Sequence, residues 1–301
     1  MLKVLLFGGY VYMELRQLEY FQMASRLRNI TRAAKRLRVS QPNITVAIKK
    51  LEAELGIQLF DRSQKQLSLT PEGTVFLSRV DTALRCLKDA LIEVNDFKQL
   101  QKGVIKIGIP PMMGAILFPK IFSGFQTLHP ALDVMLFEEG SIVIREMLDR
   151  DELDFGIVIT SNASSSLNIL PMTRSQLVVC VPTSSDLAKK KGISNSDIAK
   201  SNLIVMKEGS YLRQIIQERL HSVNVSPNIV LESGQITTIK GLVAHNVGIA
   251  FLLDFVADSS DGICSVPLED PIFVDVGLAW KKDRYVSKAA QAFINFCKKP
   301  I

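Results

Sequence analysis

Thr31-Arg32-Ala33-Ala34-Lys35-Arg36-Leu37, then Arg38-Val39-Ser40-Gln41-Pro42-Asn43-Ile44-Thr45-Val46-Ala47-Ile48-Lys49-Lys50-Leu51-Glu52, is the stretch on which the reading of the whole chain turns. Helical periodicity runs over residues 15–55 and breaks near Asn29 and again near Arg38-Val39-Ser40, which predicts three short helices ahead of Gly56. In the second, the small pair Ala33-Ala34 lets another helix cross closely. Ser40 suits the N-cap of the third, and Pro42 is tolerated in a first turn, where the amide it lacks has no intrahelical partner. On that third helix Ile44, Ile48, Leu51 and Leu55 form one buried stripe. Its other side carries Pro42, Asn43, Thr45, Val46, Lys49 and Lys50, a mixture of hydrogen-bonding, methyl-bearing and cationic groups suited to base edges and phosphates.

After Gly56 the alternation around Leu59-Phe60-Asp61-Arg62 and Leu67-Ser68-Leu69-Thr70 predicts a two-stranded wing, from which Arg62, Lys65 and Gln66 can reach a nucleic-acid backbone. The charge agrees with this placement. The net charge of the 301 residues is +6, yet residues 13–73 hold 11 Lys/Arg against 6 Asp/Glu, while residues 74–301 balance. A small basic module on a neutral body fits a polyanion-binding unit, because Lys and Arg gain affinity for phosphate by releasing counterions. A solvated face with uneven charge is the plainer alternative.

Over residues 71–101 few helix breakers occur. Phe76, Val80, Ala83, Leu87, Ala90, Val94 and Phe97 recur in steps of four and three, the spacing of a coiled-coil seam. Such a helix pairs with a second copy or packs on its own chain. Beyond Gly103, strand-like and helix-like segments alternate: strands near 104–109, 133–137, 154–159, 176–181, 203–206, 228–231, 248–252 and 273–280, with helices between most of them. This predicts an α/β arrangement of parallel strands in two lobes, with a cleft at strand ends where helix N-termini meet a small anion. The loops bounding it hold Pro110, Pro111, Met112, Met113 and Gly114; Thr160 and Ser161; Gly209, Ser210 and Tyr211; and Ser233, Gln235 and Ile236. The amides of Gly114 and Ala115 join Ser210, Ser233 and Gln235 as expected donors. Met112 and Met113 give an adaptable apolar wall, or are ordinary core.

Other classes find little support. His129, His221 and His245 stand in no triad, metal or acid/base spacing, which argues against an enzyme, and no cofactor or metal site is legible. The four cysteines, Cys86, Cys180, Cys264 and Cys297, are scattered and read as reduced cytosolic thiols. The run Val4-Leu5-Leu6-Phe7 is too short to span a bilayer and no cleavage site follows, so neither a membrane nor export as a solute-binding protein is expected. Residues 1–12 read as an extension ahead of a functional start at Met13.

Arg16-Gln17-Leu18-Glu19-Tyr20-Phe21, Thr31-Arg32-Ala33-Ala34, Val39-Ser40-Gln41-Pro42, Leu51-Glu52, Leu55-Gly56, Leu59-Phe60-Asp61-Arg62 and Leu69-Thr70-Pro71-Glu72-Gly73 together resemble, in order and spacing, the LysR-type transcriptional regulators of bacteria. The resemblance covers residues 13–301 and implies an N-terminal all-α winged helix-turn-helix (13–72), a coiled-coil linker helix (73–102) and a two-lobed α/β sensor like periplasmic binding proteins (103–301). Lobe I is expected over 103–160 and 266–301, lobe II over 161–265. It further implies a cytoplasmic homodimer or homotetramer on a dyad-symmetric element in double-stranded promoter DNA, answering a small metabolite and acting on RNA polymerase; the helix N-termini at the cleft predict that this metabolite is an organic acid. Thr31, Arg32, Ser40, Gln41, Pro42, Asn43, Thr45, Val46, Lys49, Lys50, Arg62 and Lys65 are then the DNA-facing residues, and Phe76, Val80, Leu87 and Val94 the dimer seam. Val46 and Ala47 depart from the polar residues frequent in that family, which points to apolar reading of thymine methyls. Pro110 and Met112 stand where hydroxyl residues are frequent, and His245, Asn246 and Leu253 depart beside the hinge.

Overall fold

A capping side chain begins the first and second helices, and a left-handed residue ends each of the first three. In the computed structural model, which describes residues 2–6, 9–61, 67–97, 103–162, 164–256 and 262–299, α1 (Leu15–Leu27), α2 (Ile30–Leu37) and α3 (Gln41–Leu55) stop at Arg28, Arg38 and Gly56, all with positive φ. Such residues expose the last carbonyls to a reversed chain. The Asn29 side chain accepts the Arg32 amide at 2.9 Å and so begins α2. Ser40 does occupy the N-cap of α3, but its hydroxyl makes no capping bond. Ahead of α1, β1 (Leu2–Leu6) and β2 (Gly9–Met13) pair as an antiparallel hairpin, where the sequence suggested only an extension.

The chain divides into two compact units, residues 1–95 and 96–301. In the first, Phe21, Ala24, Ala33, Ala34, Ile44, Ile48 and Leu51 form the core of a three-helix unit, closed by Leu59 and Phe60 of the wing. The wing strands β3 (Phe60–Asp61) and β4 (Ser68–Leu69) are antiparallel, and Arg62, Lys65 and Gln66 lie outside the described residues. Glu52, 3% exposed, accepts the amides of Leu59 and Phe60 at 2.9 and 3.2 Å and ties the wing to α3. Helix α4 (Pro71–Phe97) starts under the Thr70 hydroxyl, which accepts the Gly73 amide at 2.9 Å. A Cβ on Gly73 would overlap the Leu59 carbonyl, so this turn needs glycine.

The seam expected along α4 is split. Val80 is buried and Phe76 packs its ring 5.5 Å from that of Phe21, so both belong to the core of their own chain rather than to a dimer seam. The apolar residues nearer the wing meet α1 first because the chain places them there. Asp81, on the same turns, takes Arg26 at 3.1 Å. Leu87, Leu91 and Val94 are exposed.

The second unit holds β5 (Gly103–Ile109), α5 (Pro111–Leu128), β6 (Leu132–Glu138), α6 (Ser141–Asp149), β7 (Phe155–Ile159), β8 (Leu167–Pro182), α7 (Asn195–Ala199), β9 (Asn202–Met206), α8 (Tyr211–Ser222), β10 (Asn228–Ser233), α9 (Ile236–Ala244), β11 (Ile249–Leu253), β12 (Ile263–Lys281) and α10 (Lys288–Cys297). The strands form one curled sheet in the order β10-β9-β11-β8-β12-β7-β5-β6. Phe155–Ile159 and Ile249–Leu253 are buried along their whole length, as central strands covered on both faces must be.

The sheet is mixed, not parallel throughout as expected. β5 is parallel to β6 and β7, and β9 to β10 and β11, but β8 and β12 run antiparallel to their neighbours. These two strands are also longer than the segments read at 176–181 and 273–280, and both serve the two halves. The start of β8, Leu167 to Pro171, pairs with Gly277 to Lys281 beside β7, whereas its end, Val178 to Pro182, pairs with Ile263 to Pro267 beside β11. Residues 167–171 therefore lie with the first half, not in lobe II as expected, and residues 266–267 with the second. Register shifts after Pro267 and Val276 mark where the shared ribbon bends between the halves.

Candidate functional site

Two surfaces carry functional side chains, one in each unit. In the first unit, α3 turns Ile44, Ile48 and Leu51 inward, which leaves Gln41, Pro42, Asn43, Val46, Lys49 and Lys50 exposed and Thr45 half-buried. Gln41 Nε2 donates to Thr45 Oγ1 at 2.8 Å, so the two side chains present one fixed hydrogen-bonding edge. Val46, 65% exposed, offers an apolar contact on the same face. Lys49 has no ion pair among the described residues, whereas Lys50 leans on Glu14 at 3.5 Å and Glu54 at 3.9 Å. Thr31, Arg32 and Ser40 are exposed beside this face, joined by Lys35, Arg36 and Arg38 at the end of α2, which the sequence reading left out. Their position in the last turn of a basic helix was the available signal.

In the second unit, a cavity of about 610 Å³ opens where β5, β7, β9 and β10 end and α5, α6, α8 and α9 begin. Pro110, Met112, Met113, Ser210, Ser233, Gln235 and Ile236 line it, as the loops following strand ends predicted. Gly114, Thr160, Ser161 and Gly209 do not. The Gly114 amide is spent on the Pro110 carbonyl at 2.9 Å, which removes it as a ligand donor, and Ala115 lines the cavity from inside α5. Met112 and Met113 are 2% and 3% exposed and serve both readings, packing in the main core while facing the cavity.

The sequence reading missed the charged lining: Glu138, Glu139, Lys207, Glu208 and Glu232. All five sit within three residues of a helix start or a predicted cavity loop, and the pair Glu138-Glu139 at a strand end was the legible clue. Arg213, 9% exposed, donates to the Met206 carbonyl at 3.1 Å and to Glu232 Oε1 at 2.7 Å. That hydrogen bond holds the Glu232 carboxyl below the ordinary carboxylate range and raises the guanidinium further.

The edges of the two halves also interlock. The Tyr211 amide donates to Ser141 Oγ at 3.0 Å and the Ile142 amide to the Gly209 carbonyl at 3.1 Å, so one first-turn amide of each of α6 and α8 is satisfied by the segment that starts the other. A Cβ on Gly140 would overlap that Gly209 carbonyl. Among the cysteines, burial pushes Cys180 and Cys297 up to about 12, so neither offers a thiolate at neutral pH. No group of three metal-ligating side chains and no helix long and apolar enough to cross a membrane occurs among the described residues.

A family model described as bacterial regulatory helix-turn-helix protein, lysR family, matches residues 15–74, and one described as LysR substrate binding domain matches residues 98–300. The chain belongs to the LysR family. It is a LysR-type transcriptional regulator, with a DNA-binding helix-turn-helix that contains α3 and an effector-binding domain that contains the cavity. An uncharacterized HTH-type transcriptional regulator of Bacillus subtilis (strain 168), YybE, is 31% identical over 285 residues, covering 94% of this chain and 98% of YybE. The relatives are named as transcriptional regulators, not enzymes. Full-length OxyR of Pseudomonas aeruginosa is 24% identical, with a TM-score of 0.64 and 95% of each chain covered, and shares the fold. The effector binding domain of QuiR in complex with shikimate is 26% identical, with a TM-score of 0.58, covering 65% of this chain and 95% of that one.

Proposed function

We propose that this LysR-type regulator binds a dyad-symmetric element in double-stranded promoter DNA as a homodimer or homotetramer in the cytoplasm. It alters transcription by RNA polymerase when a small molecule occupies the cavity between the halves of its sheet. The observation that carries the reading is the exposed edge of α3, where Gln41, Thr45, Val46 and Lys49 stand together on a helix whose opposite side is buried. A helix so presented places hydrogen-bond donors, a methyl group and a cation within reach of the major groove. Exposed Leu87, Leu91 and Val94 on α4 supply the apolar stripe for a second copy. QuiR, whose effector domain is described with shikimate, supports an organic acid by kinship.

Selection of bound sequences from a random double-stranded library by the purified full-length protein tests the DNA part. The expected result is an enriched site with two related half-sites about one or more helical turns apart. Recovery of a single unrepeated half-site would remove the dimer from the reading, and absence of any enrichment would remove sequence-specific binding.

A further inference from the structure

We infer that Val46 reads the 5-methyl group of a thymine on the floor of the major groove and so selects that base at one position of the half-site. This deepens the DNA-binding reading of α3 and rests on it. With 3.6 residues per turn, Val46 falls on the line of α3 opposite the buried stripe Ile44, Ile48 and Leu51. Exposed Pro42, one turn earlier, and exposed Ala53, two turns later, continue that line, so its centre is apolar. The polar groups stand to either side. Gln41 and Thr45, joined at 2.8 Å, form one flank with Lys49. Asn43 and Lys50 form the other, where Lys50 is held by Glu14 at 3.5 Å and Glu54 at 3.9 Å. Ala47, the second apolar departure in α3, is half-buried off this line and offers a single methyl group.

A helix with its side chains is about 10–12 Å across and the major groove about 12 Å wide, so a seated helix turns its flanks to the phosphate walls and its outermost line to the base edges. Exposed cations on both flanks, Lys49 and Lys50, agree with that seating. The side chain on the outermost line then meets what the floor presents. Guanine offers N7 and O6 there, adenine N7 and N6, and cytosine N4, whereas thymine adds a carbon group, its 5-methyl, beside O4. Valine has neither donor nor acceptor. Against a guanine, adenine or cytosine edge it takes water from a polar group and returns no hydrogen bond. Against a thymine it closes two apolar groups on each other. Val46 therefore selects by rejection as well as by attraction.

Uracil in place of thymine tests this, because it removes the methyl and keeps the pairing. The full-length protein should enrich a site from a random double-stranded library, and that site is then rebuilt with one uracil at a time. Affinity, read by fluorescence anisotropy, should fall about fourfold at one thymine of the half-site, the effect of removing one methyl from an apolar contact. In Val46→Ala, which keeps a good helix former at an exposed position, that uracil loss should vanish while affinity for random-sequence DNA stays unchanged. At the same position 5-methylcytosine, which carries the same methyl, should bind more tightly than cytosine. An enriched site that tolerates uracil throughout, a uracil loss as large in Val46→Ala as in the parent, or 5-methylcytosine no better than cytosine would overturn the role of Val46 and leave α3 as the DNA-binding helix. Failure to enrich any site would overturn sequence-specific binding and the inference with it.

Discussion

The Tyr211 amide donates to the Ser141 hydroxyl at 3.0 Å, joining the first turn of α8 in one half of the sheet to the first turn of α6 in the other. With Ile142 and Gly209 making the reverse bond at 3.1 Å, the contact is a two-way latch across one side of the cavity. Ser141→Ala should cost about 1 kcal/mol of stability by leaving a half-buried amide unpaired. Gly140→Val should do more, because its side chain cannot coexist with the Gly209 carbonyl. Hydrogen exchange at residues 207–211 is expected to accelerate in both variants, and unchanged exchange would show that the latch holds nothing.

Glu52 is placed to hold the wing. Its buried carboxylate accepts two backbone amides, so Glu52→Ala should cost about 2–3 kcal/mol, and Glu52→Gln less, since one acceptor oxygen remains. Chemical denaturation of the isolated variants reads this directly. A loss under about 0.5 kcal/mol for the alanine variant would mean that water replaces the carboxylate.

On the DNA-facing side, Thr45→Ala should reduce discrimination between cognate and scrambled DNA by about 1–3 kcal/mol, partly because Gln41 loses its 2.8 Å partner. Lys49→Ala is expected to weaken both sequences alike and lower the salt dependence by about one counterion. Competition gel shifts at two salt concentrations measure both effects, and equal loss on the two sequences for Thr45→Ala would move base reading elsewhere.

Leu87→Asp introduces a carboxylate on the exposed apolar stripe of α4 without touching the core, since Leu87 is 49% exposed. The variant should keep its helicity and lose oligomeric mass in light scattering, because the charge would be buried on pairing. The same substitution at Val80 should unfold the N-terminal unit instead, as Val80 is 3% exposed. Unchanged mass for Leu87→Asp would place self-association on another surface.

A fifth expectation concerns acid. The Lys190 ammonium, 2.6 Å from Asp197, lowers the Asp197 carboxyl from 3.8 to about 2, helped by its capping bonds to Ser194. A carboxyl depressed on folding contributes stability that is whole above its unfolded value and is lost as pH falls through the folded one. Stability should therefore decline between pH 4 and 2, and less steeply in Asp197→Asn. The effect should be small, a few tenths of a kcal/mol, because the Lys190 side chain is 45% exposed. Identical slopes in melting temperature against pH would remove Asp197 from the acid response.

Much of the first unit was legible before the structure. The breaks at Asn29 and Arg38, the stripe Ile44, Ile48, Leu51, and the stop at Gly56 are local signals, set by periodicity and by residues that tolerate a positive φ. The loops around the cavity were found for a similar reason, as helix starts follow strand ends in an α/β chain. Its charge was not, because Glu138 and Glu139, Glu208, and Glu232 stand at three separate strand ends and converge only when β6, β9 and β10 take their places.

The sequence by itself determined that a basic three-helix unit precedes an α/β domain and which face of α3 stays in water, because caps, turns and a 3.6-residue repeat act within a few residues of one another. Only the tertiary structure decided that Phe76 and Val80 serve their own core, that β8 and β12 run through both halves of the sheet, and that the cavity is acidic. Each of those depends on a partner far along the chain: Phe21 for Phe76, β12 for β8, and three separate strand ends for the carboxylates. A heptad step specifies an apolar stripe but not what covers it, and a glutamate at a strand end carries the same local signal whether it faces solvent or another glutamate.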